Sequence, residues 1–362
     1  MQPKNGIMTN RRNDEAPFVF GVRVEGETFT DRRDETERLK MNFKYGVNTI
    51  LISPRRMGKT SLVDKVCSLV EGSEVRIARI DAFSCRSEYD FINSFATAVV
   101  RATSNRWEEW IENASNTTTE DVLALPEKIA EEKGYRIVVC IDEFQQIGDF
   151  QDSLTFQKKL RSVWQLQKRV SYCLYGSKKH IMETMFQNHS YPFYRFGDII
   201  YLQKISEEDW VKFICARFEA TGKHIPESIA KEICKLTDRY SSYVQQLAWF
   251  VWLKTQDTAT EEDLRYAVNK LLDSCEPLFI QQTEDLSSYQ MNFLRAIIEG
   301  VNTGFTQSAV LSKYHLGTAA NITRLKKSLT EKDLIMTVAA KRIEICDPIL
   351  SLWLRERVLS PH

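Results

Sequence analysis

Apolar residues change their spacing along this chain, and the change divides it. Up to about residue 205, short continuous apolar runs alternate with longer stretches of helical period. The runs are Ile50 to Ile52, Val75 to Asp81, Tyr135 to Asp142, Val170 to Tyr175 and Ile199 to Leu202. Each is short for a buried helix. Ile137-Val138-Val139-Cys140-Ile141 is β-branched except at Cys140, which suits a central strand buried on both faces. Helices are predicted from Thr30 or Asp31 to about Tyr45, Lys59 to about Val70, Tyr89 to about Trp110, Thr119 to Glu132, Phe150 to Lys168 and Ile181 to Phe186. Alternating strands and helices predict an α/β core with a parallel five-stranded sheet.

After Ser206 the pattern becomes helical. Ser206-Glu207-Glu208-Asp209-Trp210 has an N-cap signature, and helices are predicted at about Glu207–Ala220, Pro226–Thr237, Tyr240–Thr255 and Thr260–Ser274. Beyond Leu286 come Tyr289–Glu299, Thr306–Lys313 and Ala319 to about Lys332, then two short strands, Leu334–Val338 and Arg342–Cys346. Three helices and a hairpin are the parts of a winged helix. The expected division is a flexible tail over 1–17, a core over 18–205, a helical module over 206–284 and a winged helix over 285–362.

The first strand ends abruptly in Ser53-Pro54-Arg55-Arg56-Met57-Gly58-Lys59-Thr60-Ser61, where the next helix opens. Strand, polar loop and helix in this order build an anion site. Loop and first-turn N–H groups converge on one spot, and the helix dipole adds to them. In this reading the loop 53–61 holds phosphates, Gly58 admits close backbone approach, Lys59 reaches the β/γ-phosphates and the Thr60 hydroxyl ligates Mg²⁺. Ser53 stands where the usual spacing begins with glycine, and would have to take a turn geometry that glycine takes more easily. The bland alternative is an ordinary strand-to-helix turn.

Asp142 and Glu143 end the third strand, where ligands of open α/β sheets bind. Their order after the loop, by about eighty residues, gives the pair its force. Asp142 is then placed for Mg²⁺, and Glu143 can orient and deprotonate an attacking water. The alternative is a strand end with a capping aspartate. Ser177, after the fourth strand, can sense a γ-phosphate or cap the next helix. Arg195 can stabilise transition-state charge or pair with a surface carboxylate. Arg324, Lys326 and Lys327 on the third winged-helix helix, with Lys341 and Arg342 on the wing, make 318–342 a candidate contact for double-stranded DNA. Winged helices also serve as packing and protein-interaction modules.

Composition narrows this picture. Forty-nine basic residues balance forty-nine acidic ones, so global charge makes no case for nucleic acid and any such surface is local. Eight cysteines are scattered without a CxxC pair, which predicts buried thiols in a reduced compartment rather than disulfides or zinc. The N-terminal residues have no apolar signal core, and Ala248 to Leu253 is too short to span a bilayer. A cytoplasmic protein without membrane partners is expected.

With these pieces placed, the chain resembles the archaeal-type ATPases grouped near the AAA+ and STAND NTPases. The resemblance rests on Phe29-x-Asp31-Arg32-x-x-Glu35-x-x-x-Leu39, Ser53 to Leu62, Cys140-Ile-Asp-Glu-Phe-Gln145 and Tyr175-Gly-Ser177. Tyr191-Pro-Phe-Tyr-Arg195 and Asp347-Pro348-x-x-x-x-Trp353-Leu354 complete it. It covers about residues 26–357. Tyr194-Arg195 stands where the usual pair is Gly-Arg. The resemblance implies a P-loop NTPase core of the additional-strand, catalytic-glutamate type, a helical lid, a C-terminal winged helix, and ATP with Mg²⁺. Three outputs are open on these grounds. One is an ATPase whose cycle drives a switch relayed to the winged helix. The second is an ATP-dependent DNA-binding protein like the origin-recognition ATPases. The third is a signalling or defence scaffold that forms a homo-oligomer, or engages a protein partner, on binding ATP.

Overall fold

The computed structural model of the protein describes residues 16–21, 32–104 and 118–359. Most of the expected tail, the Thr30 or Asp31 cap and the helix end expected near Trp110 lie outside the described residues.

Five strands form one sheet: β1 (Thr49–Ile52), β2 (Val75–Asp81), β3 (Arg136–Asp142), β4 (Val170–Gly176) and β5 (Asp198–Tyr201). Their order is β2-β3-β4-β1-β5, with every neighbouring pair parallel. Strand side chains alternate between faces, and the two faces bury against different helices. Leu51, Val138, Cys140 and Cys173 share a core with Leu39 and Phe43 of α1 (Arg33–Tyr45) and Leu62, Val63 and Val66 of α2 (Lys59–Val70). Ile50, Ile52, Val139, Ile141 and Leu174 face the other way. They pack with α3 (Glu88–Thr103), α4 (Thr119–Lys133), α5 (Ser153–Trp164) and α6 (Lys179–Gln187). Burial on both faces explains why these strands read as continuous apolar runs. The register sets Ile52 opposite Gly176, Leu174 opposite Ile141 and Asp142 opposite Asp81. The loops leaving β1, β3 and β4 therefore emerge together at one edge of the sheet.

Four helices follow: α7 (Glu207–Glu219), α8 (Glu227–Leu236), α9 (Ser241–Lys254) and α10 (Glu261–Thr283). Ser206 caps α7 as its sequence predicts, its hydroxyl accepting from Asp209 N. The last helix runs nine residues past the predicted end at Ser274, through Pro277. Packing sustains it, because Phe279 is fully buried with its ring centroid 5.8 Å from that of Trp353.

The C-terminal helices are α11 (Ser288–Ile298), α12 (Ser308–Lys313) and α13 (Ala319–Glu331). The hairpin strands β6 (Ile335–Thr337) and β7 (Ile343–Ile345) pair antiparallel, with Ile335 opposite Ile345. A short helix, α14 (Pro348–Trp353), follows, which the apolar pattern does not predict. Asp347 caps it, accepting from Ile349 N at 2.9 Å and Leu350 N at 3.3 Å. The core of this unit is continuous with that of α7–α10 and with one face of the sheet. Among the described residues no helix is long and apolar enough to cross a membrane.

Candidate functional site

A cavity of about 490 Å³ opens where β1, β3 and β4 end. Residues 55–61, Glu143 and Ser177 line it together with Val19, Phe20, Ile205, Trp210 and Gln245. Polar groups that suit phosphates thus share the cavity with an apolar recess that suits a flat ring. Gln245 Oε1 accepts from Val19 N at 3.2 Å, which ties the segment 16–21 to α9 across the recess.

The loop is shaped by two left-handed residues, Arg56 (φ 64°) and Gly58 (φ 84°). Gly58 takes this conformation without strain; Arg56 does not, and its carbonyl and side chain are held from outside the loop. Ser53 corrects an expectation. It is buried but not left-handed, and its Oγ donates to Pro54 O at 3.1 Å, so no glycine-like turn is required there.

Lys59 is buried, and its ammonium donates to the carbonyls of Ser53 (3.2 Å) and Pro54 (3.0 Å). Burial pushes its pKa down to about 8, against the opposing pull of Glu143 and Asp142. Phosphate oxygens would give this ammonium stronger acceptors than two neutral carbonyls.

Thr60 Oγ1 donates to Asp142 Oδ2 at 2.9 Å, and Glu143 N donates to Asp142 Oδ1 at 2.8 Å. Burial raises the Asp142 carboxyl to about 6, while these two bonds oppose the rise. A hydroxyl and a carboxylate side by side are hard oxygen donors. They fit Mg²⁺, which takes one or two protein oxygens and completes its shell with phosphate and water. Among the described residues no group of three or more His, Cys, Asp or Glu is arranged to hold a metal alone, so a dedicated all-protein site is not what this geometry offers.

Glu143 adopts a left-handed backbone (φ 48°) that turns its carboxylate toward β4. Its Oε2 accepts from Ser177 Oγ at 2.8 Å, from Ser177 N at 3.3 Å and from Gln145 Nε2. Ser177 also accepts from Arg55 Nε at 3.3 Å. It does not cap the following helix, whose N-cap position is Lys178 and has no side-chain cap. The helix-cap alternative for Ser177 therefore gives way to a polar contact inside the cavity.

The structure does not bring Arg195 to this cavity. It is exposed after α6, with its guanidinium 5.3 Å from the Tyr194 ring centroid. The basic patch is also smaller than its sequence implies. Arg324 and Lys327 are exposed on α13 and Lys341 on the wing, but Lys327 lies 3.9 Å from Glu331, Lys326 lies over the Phe305 ring at 5.2 Å, and Arg342 pairs with Glu344 at 3.0 Å.

Several residues of the site escaped the motif reading. Val19, Phe20, Trp210 and Gln245 come from far outside the loop and carry no local signature. Arg32 is buried and donates to Met57 O at 3.1 Å, bracing the loop from α1; only its place in the Asp31-Arg32 stretch singled it out. Asp347 belongs to the Asp347-Pro348 stretch of the resemblance, but nothing local points to its pairing with Arg56 of the loop.

Residues 277–356 match the family described as a probable winged helix domain. No curated protein matches the chain. Among solved structures, a Walker-type ATPase of Pyrococcus abyssi is similar at 17% identity and TM-score 0.72, with 93% of this chain and 99% of that chain covered. The ORC2 protein of Aeropyrum pernix, in its ADPNP–ADP complexes, is similar at 15% identity and TM-score 0.64, with 94% and 97% covered. The ORC1 protein of the same organism, in complex with DNA, follows at 12% identity and TM-score 0.53, with 91% and 93% covered. At these identities the likeness establishes the fold. The chain accordingly shares the fold of the Walker-type ATPase and ORC structures, a parallel α/β sheet with a loop-to-helix anion site, completed by a C-terminal winged helix.

Proposed function

We propose that the chain binds ATP with Mg²⁺ in this cavity, hydrolyses it, and uses the cycle to switch the position of its winged helix. The observation that carries the reading is one cavity holding Lys59, Thr60 and Glu143, with Asp142 bonded to Thr60 at its edge. The loop 53–61 cradles the phosphates, and Lys59 exchanges its two carbonyl partners for phosphate oxygens. Thr60 and Asp142 would hold Mg²⁺, which would supply neutralisation of phosphate charge when bound. Glu143 orients a water and takes its proton as the water oxygen bonds to the γ-phosphorus and the bond to ADP breaks. Ser177, beside both Glu143 and Arg55, is suited to read the γ-phosphate. The apolar recess takes the base. In this reading 18–205 is the catalytic core, 206–284 the lid and 285–362 the moving domain, in a cytoplasmic protein.

The deciding experiment is steady-state ATP hydrolysis beside Glu143→Gln. The variant should keep ATP affinity and lose turnover, since the amide cannot accept the proton. Equal turnover in both proteins would overturn the assignment.

Two further readings each have an observation in their favour. Exposed Arg324 and Lys327 on α13 favour ATP-dependent binding of double-stranded DNA. Arg195, exposed and away from its own chain's cavity, favours a homo-oligomer in which it serves a neighbour's site.

A further inference from the structure

We propose that Gln145 is the positioning residue for Glu143, holding one oxygen of that carboxylate so that the other is presented to water. The inference rests on the ATPase reading and assigns a role to a residue that the proposed chemistry does not itself use.

Every hydrogen bond to the Glu143 carboxylate from the described residues falls on Oε2: one from Gln145 Nε2 and two from Ser177. Oε1 is left for the water. The two clamps differ in kind. Ser177 also accepts from Arg55 of the phosphate loop, so an arriving γ-phosphate competes for both and can draw its hydroxyl away. Gln145 is buried, at the start of the turn Phe144–Asp149 that the left-handed Glu143 begins. It therefore stays with Glu143 through the cycle.

Two observations say that this amide is not there to fill the core. Gln145 Oε1 is buried and has no hydrogen-bond partner among the described residues, an arrangement that costs stability. It also fits only because residue 176 is glycine: a Cβ there would meet Gln145 Oε1 at 1.8 Å. An apolar side chain of the same shape would pack as well without the orphaned oxygen. What it would lack is the N–H aimed at Glu143.

The test is Gln145→Met, which keeps the shape and removes the donor. The expected result is a kcat lower by about 10- to 100-fold, a KM for ATP within about threefold of the parent, and an unchanged or higher Tm. Gln145→Glu, of the same size but with a second carboxylate facing the first, should lose kcat as well. A parental kcat in Gln145→Met beside an inactive Glu143→Gln would overturn the positioning role alone. Parallel losses of Tm and ATP affinity, with kcat retained by the folded fraction, would overturn it in favour of a packing role. A parent protein without turnover would overturn the ATPase reading and this assignment with it.

Discussion

Arg56 Nη1 lies 2.6 Å from Asp347 Oδ2, joining the phosphate loop to the N-cap of α14 across 291 positions of sequence. The same carboxylate oxygen accepts from Tyr243 OH at 2.6 Å, and the Arg56 guanidinium sits 4.7 Å from the Tyr243 ring centroid. Core, α9 and winged helix therefore meet at one charge pair. Ser242 N reaches Arg56 O at 3.1 Å, which helps to hold Arg56 in its left-handed conformation. Arg56, whose side chain pairs with Asp347 before α14, is two positions before Gly58 of the loop. In the proposed reading, a phosphate entering the loop would compete with Asp347 for the guanidinium, which would give the proposed switch a physical basis.

This latch predicts a measurable coupling. Arg56→Ala and Asp347→Asn, the latter chosen because the amide oxygen still caps α14, should each cost stability in urea. Their double-mutant cycle should give an interaction of about 1–2 kcal/mol, more than an exposed pair and less than a fully buried one. ATP should speed amide exchange across 343–353 in the parent. Exchange indifferent to ATP would sink the relay.

Lys59 sets a conflict between stability and binding. Its folded-state pKa, about 8, lies below the ordinary lysine value of 10.5, because burial disfavours the ammonium. A depressed folded pKa makes the ligand-free protein gain stability as pH rises from about 8 towards 10.5, and carry the full penalty below 8. Lys59→Met should remove that penalty. The expected gain is about 1–3 kcal/mol at pH 7 in the absence of nucleotide, a flatter stability profile above pH 8, and loss of ATP binding. Urea melts at pH 7 and 9.5 would check it; equal destabilisation at both pH values would count against a buried charge.

Asp142 shifts the other way. Its carboxyl is raised by burial from 3.8 to about 6, so its protonated form is favoured in the folded state. Its contribution to stability is present in full below about pH 4 and is lost as pH rises through 6. Mg²⁺ needs the ionised form. Affinity for MgATP should therefore fall with acidity below pH 6, by up to about tenfold per pH unit, while Mg²⁺-free ATP binding changes less. Calorimetry at pH 7.5 and 5 would detect both the weaker binding and a proton released on binding near pH 6. An affinity for MgATP equal at the two pH values would argue against Asp142 as a ligand.

The strands and the loop were legible in the sequence because each is dictated locally. Val138 and Cys140 pack against one set of helices and Val139 and Ile141 against another, and such double burial leaves a continuous apolar run. Glu143 and Ser177 could be placed because strand ends in a parallel sheet share an edge. What stayed hidden depends on long-range packing. The extension of α10 past Ser274 follows from Phe279 meeting Trp353, which no propensity encodes. The apolar recess joins Phe20 to Trp210 and Gln245 through tertiary contacts alone. Asp347 is singled out by the Asp347-Pro348 stretch, but its partners Arg56 and Tyr243 are set by tertiary packing alone. Arg195 could be named from its motif but not located, since its segment leads away from the cavity.

If the winged helix contacts duplex DNA, Arg324 and Lys327 are the exposed cations of α13 that would reach it, since Lys326 is folded over Phe305, with Lys341 exposed on the wing. Replacing Arg324 and Lys327 with Ala should weaken binding uniformly across sequences and lower the slope of log affinity against log salt by about 2, close to one released counterion per lost phosphate contact. Fluorescence anisotropy between roughly 25 and 200 mM salt, over which the Debye length falls from about 19 to about 7 Å, reads this directly. An absence of parental binding at the lowest salt, with and without ATP, would exclude duplex DNA as a partner.

Arg195 tests whether two copies share a site. Its backbone is left-handed (φ 53°), so Arg195→Asn is the suitable variant: asparagine tolerates that conformation and removes the charge. If Arg195 serves a neighbour's γ-phosphate, this variant should bind ATP normally and lose turnover by about 10³-fold or more. Mixing it with Glu143→Gln should then restore activity. A site with an intact Glu143 on the Arg195→Asn chain would receive the arginine of the Glu143→Gln chain. Light scattering with ATP should show the oligomer that such sharing demands. A mixture no more active than its parts, from a protein whose mass never changes with ATP, would exclude a shared site and leave Arg195 as a surface residue.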